Sequence, residues 1–329
     1  MCTDHLESQE PAGREEMRSL LGRRGFLRAT AATAAAAGTV GTGALAVPAG
    51  AATATTTGGH PGRRRVPVDQ ISIQLYTVRD ILSADPAGTI ARLREIGYRK
   101  VEAAGTAGLS AADFRALLDR NGIRATSAHI GIPQPFDATA WKASLATAKT
   151  LGCRYVVHPF FGVDATGAPL RDAAVWQQFA LDLNKAGAIA RQQGLDFGYH
   201  NHHREFLPVS DGSGRRPYDI LTRTTDRRLV HLEIDIYWAW RGAADPVDLI
   251  RANPGRVRQF HVKDMNIDSG FTDPGTGLID FGRVFAQGDV AGIKEFIVER
   301  DDAGTGTRTP AQALDTAAVG YEFLRNIRF

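Results

Sequence analysis

Cysteine is nearly absent from this 329-residue chain, which carries only Cys2 and Cys153. Cys2 lies in an amino-terminal segment that reads as removable, so Cys153 is left alone and no internal disulfide can form. Stability must come from a core, and the remaining length is enough for one large domain. An excess of charge of one sign is also lacking. Lys and Arg total 39 against 36 Asp and Glu, and the basic residues are dispersed apart from Arg63-Arg64-Arg65. That balance excludes the clustered basic face of a nucleic-acid-binding protein. The longest weakly apolar run, from about Ala29 to Val47, is rich in Ala, Gly and Thr, too poor for a stable membrane span. A last absence is local. The first strand-like run ends Gln74-Leu75-Tyr76-Thr77-Val78-Arg79-Asp80, without the glycine-rich phosphate turn of an open dinucleotide-binding sheet.

What is present begins with an address. Gly22-Arg23-Arg24-Gly25-Phe26-Leu27-Arg28 matches the twin-arginine pattern, and Ala49-Gly50-Ala51 is a small-residue cleavage site. Residues 1–51 therefore read as a twin-arginine signal peptide, 52–68 as a short flexible leader of Thr, Gly, Pro and Arg, and 69–329 as the folded domain. The expected destination is secreted, periplasmic or in the cell envelope, with no membrane attachment after cleavage. This route moves folded proteins, which suits an enzyme that takes up its metal before export.

Apolar, β-rich runs alternate with helical patterns throughout the mature chain. Strands are expected at 71–75, 100–103, 125–128, 155–158, 197–200, 229–235, 257–262 and 296–299. Amphipathic helices are expected at 89–96, 111–121, 141–151, 176–193 and 311–326, several stopped by glycine at 122, 152 and 194. Eight strand–helix alternations in about 260 residues predict an α/β fold, a single-domain (β/α)8 TIM barrel. Chemistry in such barrels collects where the strands end.

The strand ends are rich in ligand-type residues. Tyr199-His200-Asn201-His202-His203-Arg204-Glu205-Phe206 follows strand five, Glu233-Ile234-Asp235 ends strand six, His261-Val262-Lys263-Asp264 ends strand seven, and Glu299 ends strand eight. Alternation puts His200 and His202 on one face, with His200 the better inward candidate. Glu233 and Asp235 share a face, and Asp235 is nearer the end. A His200, Asp235, His261 and Glu299 set fits one divalent ion, with Mn, Mg, Zn and Co not distinguished. Whether His200 or His202 is the strand-five ligand stays open. Glu299, His202 and Lys263 are the candidates for catalysis. Glu102, His129 and His158 at strands two to four, with Glu205, Tyr237 and Trp238, are candidates for binding substrate. Aromatic rings at a barrel mouth suit the apolar face of a sugar, or simple packing.

Taken together, Gln74-Leu75-Tyr76-Thr77-Val78-Arg79-Asp80, Tyr199-His200-Asn201-His202 with Glu205-Phe206, Glu233 to Trp238, His261-Val262-Lys263-Asp264-Met265 and Gly275-Thr276-Gly277-Leu278-Ile279-Asp280-Phe281 resemble the sugar phosphate isomerase/epimerase group of the xylose-isomerase-like barrel superfamily. The resemblance runs from about Ile71 to Phe329. It implies one divalent metal held by the ends of strands five to eight, at His200, Asp235, His261 and Glu299. In the group's epimerases the first of these is Glu, and two glutamates serve as acid and base on opposite faces of an enediolate. His200 departs from that pattern.

The leading expectation is a divalent-metal-dependent isomerase or epimerase acting through an enediolate on a non-phosphorylated keto-sugar or sugar derivative. Export argues against a phosphorylated substrate. The alternative is a lyase or dehydratase on a keto-sugar or keto-glycoside that shares the first step, and a further alternative is a non-catalytic sugar-binding protein. The partner is a small-molecule carbohydrate, not nucleic acid, and a homo-oligomer is compatible with the sequence. A DNA-repair endonuclease shares the superfamily fold but would need a larger metal cluster and a basic groove.

Overall fold

A computed structural model describes residues 62, 64–302 and 308–329. The signal expected at 1–51 and the leader up to 61 lie outside the described residues. From Arg64 the chain is packed. Arg64 exchanges two main-chain hydrogen bonds with Phe329 (3.0 and 3.1 Å), its guanidinium meets Asp289 at 2.6 Å, and Val66 is buried. Residues 64–68, expected as leader, are thus tied to the carboxyl terminus of the domain.

Eight parallel strands close into a barrel: β1 (Ile71–Gln74), β2 (Lys100–Ala103), β3 (Arg124–His129), β4 (Tyr155–His158), β5 (Asp196–His200), β6 (Val230–Asp235), β7 (Val257–Val262) and β8 (Glu295–Val298). Each pairs with its sequence neighbours, and β8 closes on β1 through Ile71–Phe296 and Ile73–Val298. The expected strands fall where these lie, within about one residue at each end. Among the described residues no helix is long and apolar enough to cross a membrane.

The helices form where spacing and caps agree. Ala138–Leu151 opens on Asp137, whose carboxylate accepts the amides of Thr139 and Ala140, and stops at Gly152 in the left-handed conformation. Its Trp141, Leu145, Ala148 and Leu151 recur at helical spacing and are buried. The Trp141 indole donates to the Ala186 carbonyl of Ala173–Gln192 at 3.0 Å, locking two neighbouring helices together. The last helix, Pro310–Asn326, begins with a reciprocal Thr309–Gln312 capping box. Short helices at Pro217–Thr224, Ile236–Arg241 and Phe281–Phe285 carry too few turns for a periodic signal in the sequence.

Strand alternation sorts the side chains. On β6, Val230, Leu232 and Ile234 belong to the apolar core, and the alternate residues His231, Glu233 and Asp235 are polar yet buried. β7 does the same with Gln259 and His261, and β8 with Glu295. Register then stacks these polar residues in layers: His200 beside Glu233, Asp235 beside His261, and Glu295 beside Gln259. Gly198 is required by this packing, since a Cβ there would stand 2.4 Å from the ring of His231 on the next strand.

The lowest layer holds a costly group. Glu295 is buried with Lys100 at 3.7 Å and Gln259 at 3.5 Å, and burial pushes its carboxyl from 4.5 to about 7. The folded protein therefore holds a proton that the unfolded chain releases near pH 4.5. Stability falls as pH rises from there to about 7 and stays reduced above it. Glu295→Gln cannot ionise. Its stability relative to wild type should rise by about 2–3 kcal/mol between pH 5 and pH 8 in denaturant titrations. A difference independent of pH would refute the assignment.

Candidate active site

The carboxyl ends of β5 to β8 bring His200, Asp235, His261 and Glu299 together, with ligand atoms all within 4.8 Å of one another. Each is fixed by its surroundings. Asp235 caps the helix Ile236–Arg241 by accepting the Trp238 amide on Oδ1 at 2.8 Å, which leaves Oδ2 turned toward the cluster. Asn201 clamps β5 to β6: its amide accepts from the Asp235 N–H at 3.1 Å and donates to the Asp235 carbonyl at 3.2 Å. Asp264 accepts the amides of Met265, Gly275, Gly277 and Ile279 and folds the following loop against the end of β7. The glycines of that loop serve this turn.

Below these four lies a carboxylate that gathers imidazoles. Glu233 Oε1 is 2.8 Å from His129 Nε2, 3.0 Å from His200 Nδ1 and 3.0 Å from His261 Nε2, while its Oε2 is buried without a hydrogen-bond partner. Glu102 forms the floor. It accepts from Gln74 at 2.8 Å and Ser127 at 2.5 Å and meets His261 Nε2 at 2.7 Å. His129, His200, Glu233 and His261 form a second donor group of the same tightness. Lys263 closes the upper side, with Nζ 2.9 Å from Asp235, 2.7 Å from Glu299 and 2.8 Å from Asp301.

The charges settle accordingly. Burial opposes charge on His261, but Glu233, Glu299 and Glu102 overcome it and hold the imidazole protonated well above its usual range. Burial likewise opposes the Lys263 ammonium, and Asp235, Asp301 and Glu299 hold it protonated well above the ordinary lysine value. Burial would raise Glu299, yet Lys263 and His261 pull it well below. Asp301 is pushed up by burial to about 6 despite Lys263. Burial, then the charge of His261, brings His200 down to about 4. His202 is lowered well below its usual value, first by burial and then by His200 and Lys263. At neutral pH, His200 and His202 are therefore neutral, the state in which imidazole binds metal or accepts a proton.

The donor set fits a divalent ion. Two imidazoles and two carboxylates on four strand ends are the mixed ligands that zinc and manganese accept. Glu233, Asp235, Glu299 and Asp301 outnumber the cationic Lys263 and His261 around this site, which favours a bound cation. His200 faces Asp235 through Nε2 at 3.6 Å. His202 sits higher, its ring 5.0 Å from His200 and from Phe160 and 5.2 Å from Trp238, with Nδ1 unpartnered. His200 is thus the strand-five member of the cluster.

Trp238 stays at the mouth beside His202 and His203, its indole donating to Asp301 at 3.1 Å. Four expected substrate-binding residues are used elsewhere. Glu102 is fully buried under His261 and does not reach the mouth. Glu205 is buried behind the wall, accepting from the Tyr199 hydroxyl at 2.6 Å and the His202 amide at 3.0 Å. His158 spends both nitrogens on main chain, accepting from the Ile132 N–H and donating to the Phe160 carbonyl, each at 2.9 Å. Tyr237 donates to the Ser269 carbonyl at 2.9 Å and pins the loop above. His129 lies inside the cluster, stacked on His261 at 5.2 Å. Glu233, Asn201 and Asp301 were not chosen from the sequence, although all three stand within two residues of chosen ligands.

A closed parallel barrel with a metal-type donor cluster at its carboxyl-terminal mouth defines the class of this protein. Residues 90–326 match the model of the xylose isomerase-like TIM barrel family, and the chain belongs to it. Among curated relatives it is similar to inosose dehydratase of Geobacillus kaustophilus, 25% identical over 60% of this chain and 74% of the relative. Matches to the inosose dehydratases of two Clostridium species span 41% of the relative's length. Among solved structures, a sugar phosphate isomerase/epimerase from Parabacteroides distasonis superimposes with TM-score 0.67 at 23% identity, over 79% of this chain and 94% of that one. The IolI protein with a bound zinc atom superimposes with TM-score 0.60 at 16% identity, over 79% and 99%.

Proposed function

We propose that the protein is a metal-dependent enzyme that removes the proton beside the carbonyl of a non-phosphorylated keto-sugar and expels a β-oxygen, a lyase of the dehydratase type. The observation that carries this is the asymmetry of the mouth: the neutral imidazole of His202, its Nδ1 without a hydrogen-bond partner, and the charged Lys263 both lie against Trp238, while Glu299 is held by His261 and Lys263. When bound at His200, Asp235, His261 and Glu299, a divalent ion would supply a Lewis acid for the substrate carbonyl. His202 takes the C–H proton. Lys263 donates to the oxygen on which negative charge grows. The electron pair of the broken C–H bond becomes the C=C, the β C–O bond breaks, and the proton gained by His202 passes to the departing oxygen. The inosose dehydratase relatives support a dehydration of this kind, and the zinc of the IolI structure supports the metal.

Isomerisation or epimerisation, the leading expectation from the sequence, shares the first proton transfer and is supported by the isomerase/epimerase neighbour. It also needs reprotonation of another carbon or the other face, a task that two glutamates perform in the resembling epimerases and for which His200 is not equivalent. The twin-arginine pattern supports a site of action outside the cytoplasm, where keto-sugars and keto-glycosides are more plausible than sugar phosphates. Incubation of the metal-loaded protein with a keto-sugar or keto-glycoside in D₂O separates the outcomes. Loss of water or aglycone marks the lyase. Deuterium in a product of unchanged composition marks the isomerase and refutes elimination.

A further inference from the structure

We infer that Glu233 is a positioning residue that sets His200 and His261 in opposite tautomers, so that each turns a free nitrogen to the same metal position. This rests on the metal reading above. The geometry is specific. Glu233 Oε1 faces Nδ1 of His200 but Nε2 of His261, both at 3.0 Å. The opposite nitrogens, His200 Nε2 and His261 Nδ1, face Asp235 and Glu299 at 3.6 and 2.5 Å. A carboxylate can only accept, so His200 keeps its proton on Nδ1, while His261 carries protons on both nitrogens here and keeps the one on Nε2 when a metal takes Nδ1. His200 is then the Nδ1–H tautomer, and metal-bound His261 the Nε2–H tautomer. Glu233 thus meets both rings in opposite senses, sharing His261 Nε2 with Glu102 at 2.7 Å.

No other group beside both rings has this role to spare. Asp235 commits Oδ1 to the Trp238 amide and holds Lys263 with Oδ2. Glu102 reaches Nε2 of His261 and of His129, and its ion-pair contacts do not include His200. Glu233 itself is placed by β6: its backbone register sets it beside His200 and one layer below Asp235. A ligand histidine whose other N–H is held by a carboxylate is oriented and made more basic, and loss of that partner typically costs 10–100-fold in metal affinity.

The test uses Zn²⁺ alone, with a chromogenic chelator as competitor, and ¹⁵N-histidine NMR of the metal-free and zinc-loaded protein. Wild type should bind one zinc per chain, show His200 as Nδ1–H in both states, and show His261 as Nε2–H once loaded. The nearly isosteric Glu233→Gln should bind zinc about 10–100-fold more weakly and lose the single Nδ1–H signature of His200. Unchanged zinc affinity with unchanged tautomers in the variant overturns the inference. So does a wild-type stoichiometry of two that falls to one in Glu233→Gln, because Glu233 would then be a ligand itself. Wild type that takes up no zinc sinks the metal reading instead. The His200 tautomer of the metal-free wild type still decides the role of Glu233: Nδ1–H upholds it and Nε2–H overturns it, even if the variant does not fold.

Discussion

His261→Ala is expected to abolish stoichiometric metal and to lower turnover by about a thousandfold or more. His261 joins both halves of the cluster by short contacts, meeting Glu299 through Nδ1 and Glu102 and Glu233 through Nε2. Alanine removes a proposed ligand and also leaves three buried carboxylates without their shared partner. Lewis-acid stabilisation of developing charge is worth several kcal/mol, and each ~1.4 kcal/mol is tenfold in rate. Breaking a buried pair by deleting one member costs ~3–5 kcal/mol of stability. The two effects are separable. Elemental analysis and chelator competition report the metal, and a thermal melt with near-ultraviolet circular dichroism reports the fold. His261→Gln, which keeps bulk and one donor, should preserve more of the fold while still losing the metal. A folded His261→Ala protein that retains one ion per chain at wild-type affinity would falsify the assignment of strands five to eight as the metal site.

The contrast between the residues that could be read and those that could not has a physical origin. The barrel was legible because β-rich runs such as Tyr155–His158 are short and apolar, and because helices such as Ala138–Leu151 end on glycine. His200, Asp235, His261 and Glu299 were legible because alternation and strand position together fix both face and height. Glu233 was harder. It shares a face with Asp235, and which of them stands level with His261 is a matter of register with β5 and β7. Glu205, His158 and Tyr237 misled for another reason. Their partners are the Tyr199 hydroxyl and main-chain groups at His202, Ile132, Phe160 and Ser269. A polar side chain bound to nearby main chain looks, in one dimension, like one aimed at a ligand. Asp301 stands beside Glu299 at a strand end rich in ligand-type residues, but its pairing with Lys263 arises only in three dimensions.

Lys263→Met is expected to do the reverse of His261→Ala on one axis and the same on the other: metal binding persists or tightens, while turnover falls by about 10²–10³-fold. Lys263 lies against Asp235 and Glu299, two of the carboxylates assigned to the metal, and also against Asp301. An ammonium and a divalent ion sharing those carboxylates repel each other, so deleting the charge favours the ion. Methionine is similarly long and apolar and can occupy the same buried space. The loss in rate follows from the protonation state. Those three carboxylates keep Lys263 charged throughout the neutral range, which bars it from acting as a base and suits it to hold a developing oxyanion. Its removal leaves His202 able to take a proton but nothing cationic from the chain facing the charge that results. Chelator competition for Zn²⁺ and steady-state rates on the keto-sugar that wild type converts measure the two axes independently. If Lys263→Met loses metal and activity together, the ammonium is a scaffold for the ligands. If activity stays within threefold of wild type, Lys263 has no part in the chemistry. Retained or tighter metal with a collapsed rate is the only pattern the proposed division of labour between Lys263 and His202 allows.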